Sequence, residues 1–228
     1  ILVPGAILSP FYYWSGSWFS GDLTVHNYDR RILAFNLTRA EDYERFPTYA
    51  PYAGDQGIAP FQETIDYIHG RGGFAFWNYP EQRSGVRKHG PVNVSTLPYP
   101  EVLHESTNYA GFAAIYGDRI TVTDPGKHWD RALTEYCESK REKPAWGIST
   151  ADFHEDGRLG LKLGAFPTIF LVKEFSKPAI LDALERGRMY CSRGDGSSWP
   201  QLEYFNVVGS TGIKAHMGET LTTAGFPM

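Results

Sequence analysis

The chain has 228 residues, of which 42% are hydrophobic and 21% charged, a balance typical of a globular protein with a sizeable core. The formal net charge is −4 and no basic tract occurs, which argues against nucleic acid as a partner. No apolar run reaches the ~18–20 residues of a transmembrane helix, so we expect no membrane span. Cys137 and Cys191 lie outside any C-x-x-C motif, and we expect two buried thiols or, alternatively, one disulfide.

The first part of the chain predicts strands and then a helix. ILVPGAIL predicts one strand, and DLTVHNY and RILAFNL predict two more strands joined by a tight turn at Asp29 and Arg30. After a polar loop, FQETIDYIHGRGG places Phe61, Ile65 and Ile68 at helical spacing, and Gly70 is positioned to end that helix. GFAFWNYPE then predicts a short buried strand that runs into a turn.

The same alternation continues through the middle of the chain. YAGFAAIYG, PAWGIST and AFPTIFLV predict strands. HWDRALTEYCESK predicts a helix with Trp129, Leu133 and Tyr136 on one face, and SKPAILDALERGR predicts a helix capped by Ser176 and ended by Gly187. Apolar strands that alternate with amphipathic helices indicate a mainly parallel sheet with helices outside.

The C-terminal segment has a different pattern. Apolar and polar residues alternate with period two in LEYFNVVG, IKAHMG and ETLTT, which predicts a small antiparallel tail. We therefore predict an α/β domain over residues 1–194 and a β-rich extension over residues 195–228.

Three places carry residues suited to a functional site. In parallel α/β folds such residues gather in the loops after strand C-termini, which is where NYPE places Tyr79 and Glu81. STADFHED follows the strand PAWGIST, and Asp152 and His154 are two residues apart, so their side chains can point to the same side of a strand. A carboxylate and an imidazole suit a divalent metal, although Asp152 can equally cap the loop. His26 lies in an early strand.

These landmarks occur in a fixed order: LVPGAILS, the strand with His26, GRGGFAFWNYPEQ, GFAAIYGD, WDRALTE, WGISTADFHED and AILDALERGRMYCSRG. From Leu2 to Gly194 this order resembles the PHP (polymerase and histidinol phosphatase) family, in particular its stand-alone bacterial metallohydrolases. The resemblance implies an α/β fold, a distorted TIM-like (β/α)7 barrel with metal ions at its C-terminal face. Such metals activate water to hydrolyse phosphate esters.

The resemblance also implies roles for individual residues. Asp152 and His154 match the final D-x-H motif of the family, and His26 matches the histidine that follows its P-G-x-E motif. These three are the predicted metal ligands for a divalent ion, zinc, manganese or iron, if any metal is bound. Asp152 and His154 would be catalytic, because a hydroxide on their metal would attack the ester. The predicted substrate-binding residues are Tyr79, Glu81, Arg83 and Arg158.

The sequence departs from the family pattern at several ligand positions. The glutamate of P-G-x-E falls at Ile7, the histidine of H-P-E at Tyr79, and the glutamate of a later strand at Ala114. The opening H-x-H and T-D-H motifs are absent, so we expect the first strand–helix units of the barrel to be missing. In an alternative register, GDLTVHN stands for the H-x-H motif with Thr24 in place of its first histidine. The other loop histidines lack ligand spacing and are predicted to be structural: His89, His104 and His128.

Three functional interpretations therefore remain open. The first is a PHP-like hydrolase with a reduced metal site, acting on a small ester or phosphate. The second is a catalytically inactive PHP-like pseudoenzyme whose pocket binds a ligand or partner. The third is a structural subunit, for example of a homo-oligomer, with contacts formed by aromatic loops such as SPFYYWSGSWF. Fold alone does not decide among them.

Overall fold

The computed structural model describes residues 1–44, 54–81, 86–116, 120–151, 162, 164–195 and 197–222. Within these ranges the chain forms thirteen strands and five helices. Contacts divide it into two compact units, a first of residues 3–147 and a second of residues 148–228 together with 1–2. The predicted division into residues 1–194 and 195–228 stays a prediction.

The elements follow one another in chain order. The first unit contains β1 (Gly5–Leu8), β2 (Tyr13–Ser15), β3 (Thr24–His26), β4 (Arg31–Phe35), α1 (Ala40–Glu44), α2 (Ala59–His69), β5 (Phe74–Asn78), β6 (Arg87–His89), β7 (Val92–Ser95), α3 (Val102–Glu105), β8 (Gly111–Ile115) and α4 (His128–Cys137). The chain continues with β9 (Trp146–Ser149), β10 (Thr168–Phe170), α5 (Lys177–Arg186), β11 (Met189–Cys191), β12 (Asn206–Val208) and β13 (Lys214–His216).

The main sheet has five strands in the order β1-β4-β5-β8-β9. β1 and β5 both pair antiparallel with β4, whereas β5 and β8 are parallel. α2 packs against β4 and β5 and buries Phe61, Ile65 and Ile68 completely. The predicted helix is thus confirmed, because the i, i+4 and i+7 positions form one apolar face. The Phe61 ring lies 5.6 Å from that of Trp77 in β5.

A second sheet of four strands has the order β2-β3-β7-β6, with β3 and β7 parallel. The two strands predicted in DLTVHNY and RILAFNL are confirmed as β3 and β4, of which β3 belongs to this sheet and β4 to the main sheet. The residues between them form the predicted turn. Asn27 has a left-handed φ of 61°, its amide donates to the Ser95 carbonyl, and the Arg30 amide donates to the Asn27 carbonyl.

The predicted TIM-like (β/α)7 barrel is also wrong. The described strands fall into four small sheets, and the five-stranded sheet ends at β1 and β9 without closing. A barrel of that type needs consecutive parallel strands, each followed by a helix. Here β1, β4 and β5 form antiparallel neighbours, and the predicted mainly parallel sheet is instead mixed.

The second unit contains two hairpins and one helix. β10 pairs antiparallel with β11, and α5 packs on β10. The predicted caps of α5 are confirmed: the Ala179 amide donates to the Ser176 hydroxyl at 3.3 Å, and Gly187 is left-handed with φ 68°. The predicted antiparallel tail is confirmed by the pairing of β12 with β13.

Both cysteines are free thiols. Cys137 is exposed at the end of α4, so its predicted burial is wrong, whereas Cys191 in β11 is partly buried. The predicted apolar face of α4 is only half covered, since Trp129, Leu133 and Tyr136 are all of intermediate exposure.

Candidate functional site

The C-terminal ends of β5 and β8 form the part of the predicted site that lies in the described residues. β5 runs directly into Tyr79, which has a left-handed φ of 48°. Because β5 and β8 are parallel, the segment after β5 lies beside the segment after β8. The Tyr79 ring meets that of Tyr116 edge to face, with 4.7 Å between centroids, and Ile120 packs on the same cluster. Tyr79 is only 8% exposed.

The Glu81 carboxylate is engaged in hydrogen bonds to a neighbouring loop. Its oxygens accept from the Thr121 hydroxyl at 2.7 Å, from the Val122 amide at 2.9 Å and from the Thr121 amide. A carboxylate that accepts hydrogen bonds from three donors fixes the position of the backbone that carries those donors. The predicted substrate-binding residue therefore ties the segment after β5 to the residues that precede α4.

His26 lies in β3 of the four-stranded sheet, whereas Tyr79 and Glu81 follow β5 of the main sheet. Its Nε2 is 2.7 Å from the Ser15 hydroxyl, and its ring stacks on that of Tyr13 with centroids 4.6 Å apart. Both partners belong to β2, so His26 holds together the β2–β3 pair. Four other predicted site residues lie outside the described residues: Arg83, Asp152, His154 and Arg158.

The described residues at the positions where the resemblance to the PHP family implies metal ligands do not fit a metal centre. Ile7 is 54% exposed and has no donor atom, and the methyl group of Ala114 is buried beneath Gly147. A neutral phenol such as that of Tyr79 is a weak ligand for zinc. Across the described ranges, no three side chains of His, Cys, Asp and Glu are grouped as metal ligands.

The buried arginine that immediately precedes β4, Arg30, was not predicted from the sequence. The Arg30 guanidinium carbon lies 4.9 Å from the Phe61 ring, 5.2 Å from the Tyr99 ring and 5.9 Å from the Trp77 ring. Glu101 is its ion-pair partner at 3.8 Å. Burial lowers the pKa of Arg30, and the Glu101 carboxylate opposes that shift. This cation anchors the start of β4 in the aromatic core.

A second polar cluster, between α3 and α4, was also missed. The ring centroids of His104 and His128 are 5.3 Å apart, and His104 Nδ1 lies 3.3 Å from a Glu135 oxygen. The same carboxylate is 3.5 Å from Arg131 and 3.8 Å from Arg141. Burial lowers the pKa of His104, and Glu135 opposes this shift. Sequence spacing carried no signal for the cluster, because α3 and α4 meet only through tertiary packing.

No family model, no curated protein and no solved structure matches the chain. Within the described ranges, every helix is too short or too polar to cross a membrane.

Proposed function

We propose that the chain does not hydrolyse esters and acts by binding a ligand or partner. The observation that carries the proposal is the packing of Tyr79, at the position where the resemblance to the PHP family would require a histidine. Its ring is buried against Tyr116, which makes it a core residue of the strand ends. A side chain buried in the core in this way is not placed to bind a metal ion that faces substrate.

Glu81 and His26 support the same proposal. The carboxylate of Glu81 is occupied by the Thr121 and Val122 donors. The Nε2 atom of His26 is occupied by Ser15. Hydrolysis requires groups that face substrate or metal, whereas both of these side chains form hydrogen bonds within the fold.

A phosphatase assay tests the proposal against the hydrolase alternative. The purified chain is assayed with p-nitrophenyl phosphate in the presence of zinc, manganese or iron. The matched variant carries Asp152→Ala and His154→Ala, which removes the D-x-H pair that the alternative requires. We expect equal background rates for both proteins. Metal-dependent turnover that the double substitution abolishes would overturn the proposal in favour of the hydrolase.

A further inference from the structure

The loop between β2 and β3 carries two exposed aromatic side chains. It spans residues 16–23, and we call it the aromatic tip. Phe19 is fully exposed and Trp18 is 61% exposed. Single exposed apolar residues are common on protein surfaces, but two adjacent aromatic rings at the end of a hairpin form a contiguous apolar surface. The aromatic tip therefore presents this surface to solvent.

Asp22 holds the aromatic tip in one conformation. Its carboxylate accepts hydrogen bonds from the Ser17 amide at 2.8 Å and from the Ser20 hydroxyl. Gly16 has a left-handed φ of 75°, and a Cβ atom there would lie 2.5 Å from the Asp22 carbonyl oxygen. Because the loop is ordered in this way, a partner that binds the two rings does not have to order it first.

Backbone amides beside the two rings already have acceptors inside the loop. The Phe19 amide donates to the Ser17 hydroxyl at 3.1 Å, and the Gly21 amide donates to the Trp18 carbonyl at 3.3 Å. The Ser17 amide donates to Asp22. An amide that leaves water without an acceptor costs free energy, so internal acceptors suit a loop that enters a lipid interface.

An exposed positive charge lies at the same end of the four-stranded sheet. β3 and β7 are parallel, with Thr24 beside Asn93, so the aromatic tip and the turn that joins β6 to β7 project from the same end. The Asn93 amide donates to the Leu23 carbonyl at 2.9 Å, which ties the tip to β7. Lys88 of β6 pairs in register with Asn93, and no described carboxylate lies within ion-pair distance of its exposed side chain. Its ammonium group can therefore meet an anionic group of a partner.

We propose that the aromatic tip binds the surface of a lipid bilayer that contains anionic lipids. The rings of Trp18 and Phe19 enter the interface between headgroups and acyl chains, where aromatic side chains are favoured, and Lys88 contacts the anionic headgroups. Rings that project from the end of a hairpin are convex, and a bilayer accepts them without a preformed pocket, whereas small molecules bind in concave sites. The inference goes beyond the proposed function and does not depend on it, because none of these three residues belongs to the candidate site.

Co-sedimentation of the full chain with sucrose-loaded vesicles tests the proposal. One vesicle preparation contains phosphatidylcholine alone, and the other contains phosphatidylcholine and phosphatidylserine in equal amounts. The test variant carries Trp18→Ser and Phe19→Ser, and the control variant carries Phe175→Ser and Phe205→Ser, at two exposed aromatic residues of the second unit. We expect the test variant to bind the mixed vesicles at least about tenfold more weakly than the wild type, and the control to bind as the wild type does.

Lys88→Gln separates the headgroup contact from the insertion of the rings. We expect the wild type to bind the mixed vesicles about fivefold more tightly than those of phosphatidylcholine alone, which is the factor that one lysine near an anionic surface contributes. Lys88→Gln should remove most of this preference. The control Lys214→Gln, at an exposed lysine of the second unit, should retain it.

Three results would overturn the proposal. The first is no binding of the wild type to either vesicle preparation, or equal binding to both. The second is equal binding by the two aromatic variants. The third comes from sedimentation velocity without vesicles: self-association that Trp18→Ser and Phe19→Ser abolish, in a chain that does not bind vesicles, would assign the aromatic tip to a second copy of the chain.

Discussion

Replacing Glu81 with alanine distinguishes a structural carboxylate from a substrate-binding one. In the variant, the Val122 amide loses its acceptor at a fully buried residue. A buried donor left without a partner costs about 1–3 kcal/mol, while water replaces the acceptor for the more exposed Thr121 donors at lower cost. We therefore expect the free energy of unfolding to fall by about 2–3 kcal/mol.

Differential scanning calorimetry measures this effect. For a chain of this size the expected loss corresponds to a fall in Tm of roughly 5–10 °C. Glu63→Ala is the matched control, because Glu63 is an exposed carboxylate on α2, and its removal should change stability by less than about 0.5 kcal/mol. If Glu81→Ala proves as stable as Glu63→Ala, the structural role assigned to Glu81 is refuted.

A double-mutant cycle isolates one of the three bonds. Thr121→Ala removes the hydroxyl that donates to Glu81 at 2.7 Å and leaves the two amide donors in place. Combined with Glu81→Ala, it should give a coupling free energy of about 0.5–1.5 kcal/mol from urea unfolding. A coupling of zero would mean that the hydroxyl bond contributes nothing to the link between the two segments.

Three further predictions concern other parts of the first unit. Because burial lowers the pKa of His104, the unfolded chain takes up this proton first as the pH falls, so stability should decline below pH ~6.5. His104→Gln should make the decline shallower in urea unfolding between about pH 7 and pH 5, and an unchanged slope would contradict the reasoning. Ser139 has a left-handed φ of 59°, so Ser139→Gly should raise the free energy of unfolding by roughly 0.5 kcal/mol in the same assay, and a loss would contradict it. A Cβ atom on Gly111 would lie 1.9 Å from the Trp146 carbonyl oxygen, so Gly111→Ala should cost about 3 kcal/mol or more, and near-wild-type thermal stability would show that the β8–β9 pairing is wrong.

Local structure followed from local sequence wherever one face of an element is buried. The spacing of Phe61, Ile65 and Ile68 predicted α2 because all three pack on the main sheet. Ser176 and Gly187 predicted the ends of α5 because capping depends on single residues and their backbone conformation.

Strand direction and sheet membership could not be predicted from local sequence. An apolar run such as RILAFNL does not fix strand direction, since a central strand covered on both faces can have antiparallel neighbours, as β4 does, as well as parallel ones. The turn at Asn27 to Arg30 was predicted, but the sequence did not show that it carries the chain from one sheet to another. The barrel was implied by the family resemblance, and the antiparallel pairing of β4 with β1 and with β5 contradicts it.

The candidate site was predicted by residue type and not by environment. Tyr79 and Glu81 do lie after a buried strand, as expected, but their packing against Tyr116 and Thr121 depends on residues about forty positions away.

Metal content tests the central claim most directly. The chain is purified without added metal and analysed by inductively coupled plasma mass spectrometry, beside the Asp152→Ala/His154→Ala variant and a His89→Ala control for nonspecific binding at an exposed histidine. If the chain does not hydrolyse esters through a bound metal, all three proteins should hold less than about 0.1 equivalent of zinc, manganese or iron. About one equivalent in the wild type and the control, absent from the double variant, would contradict the account and make the D-x-H pair a working metal site.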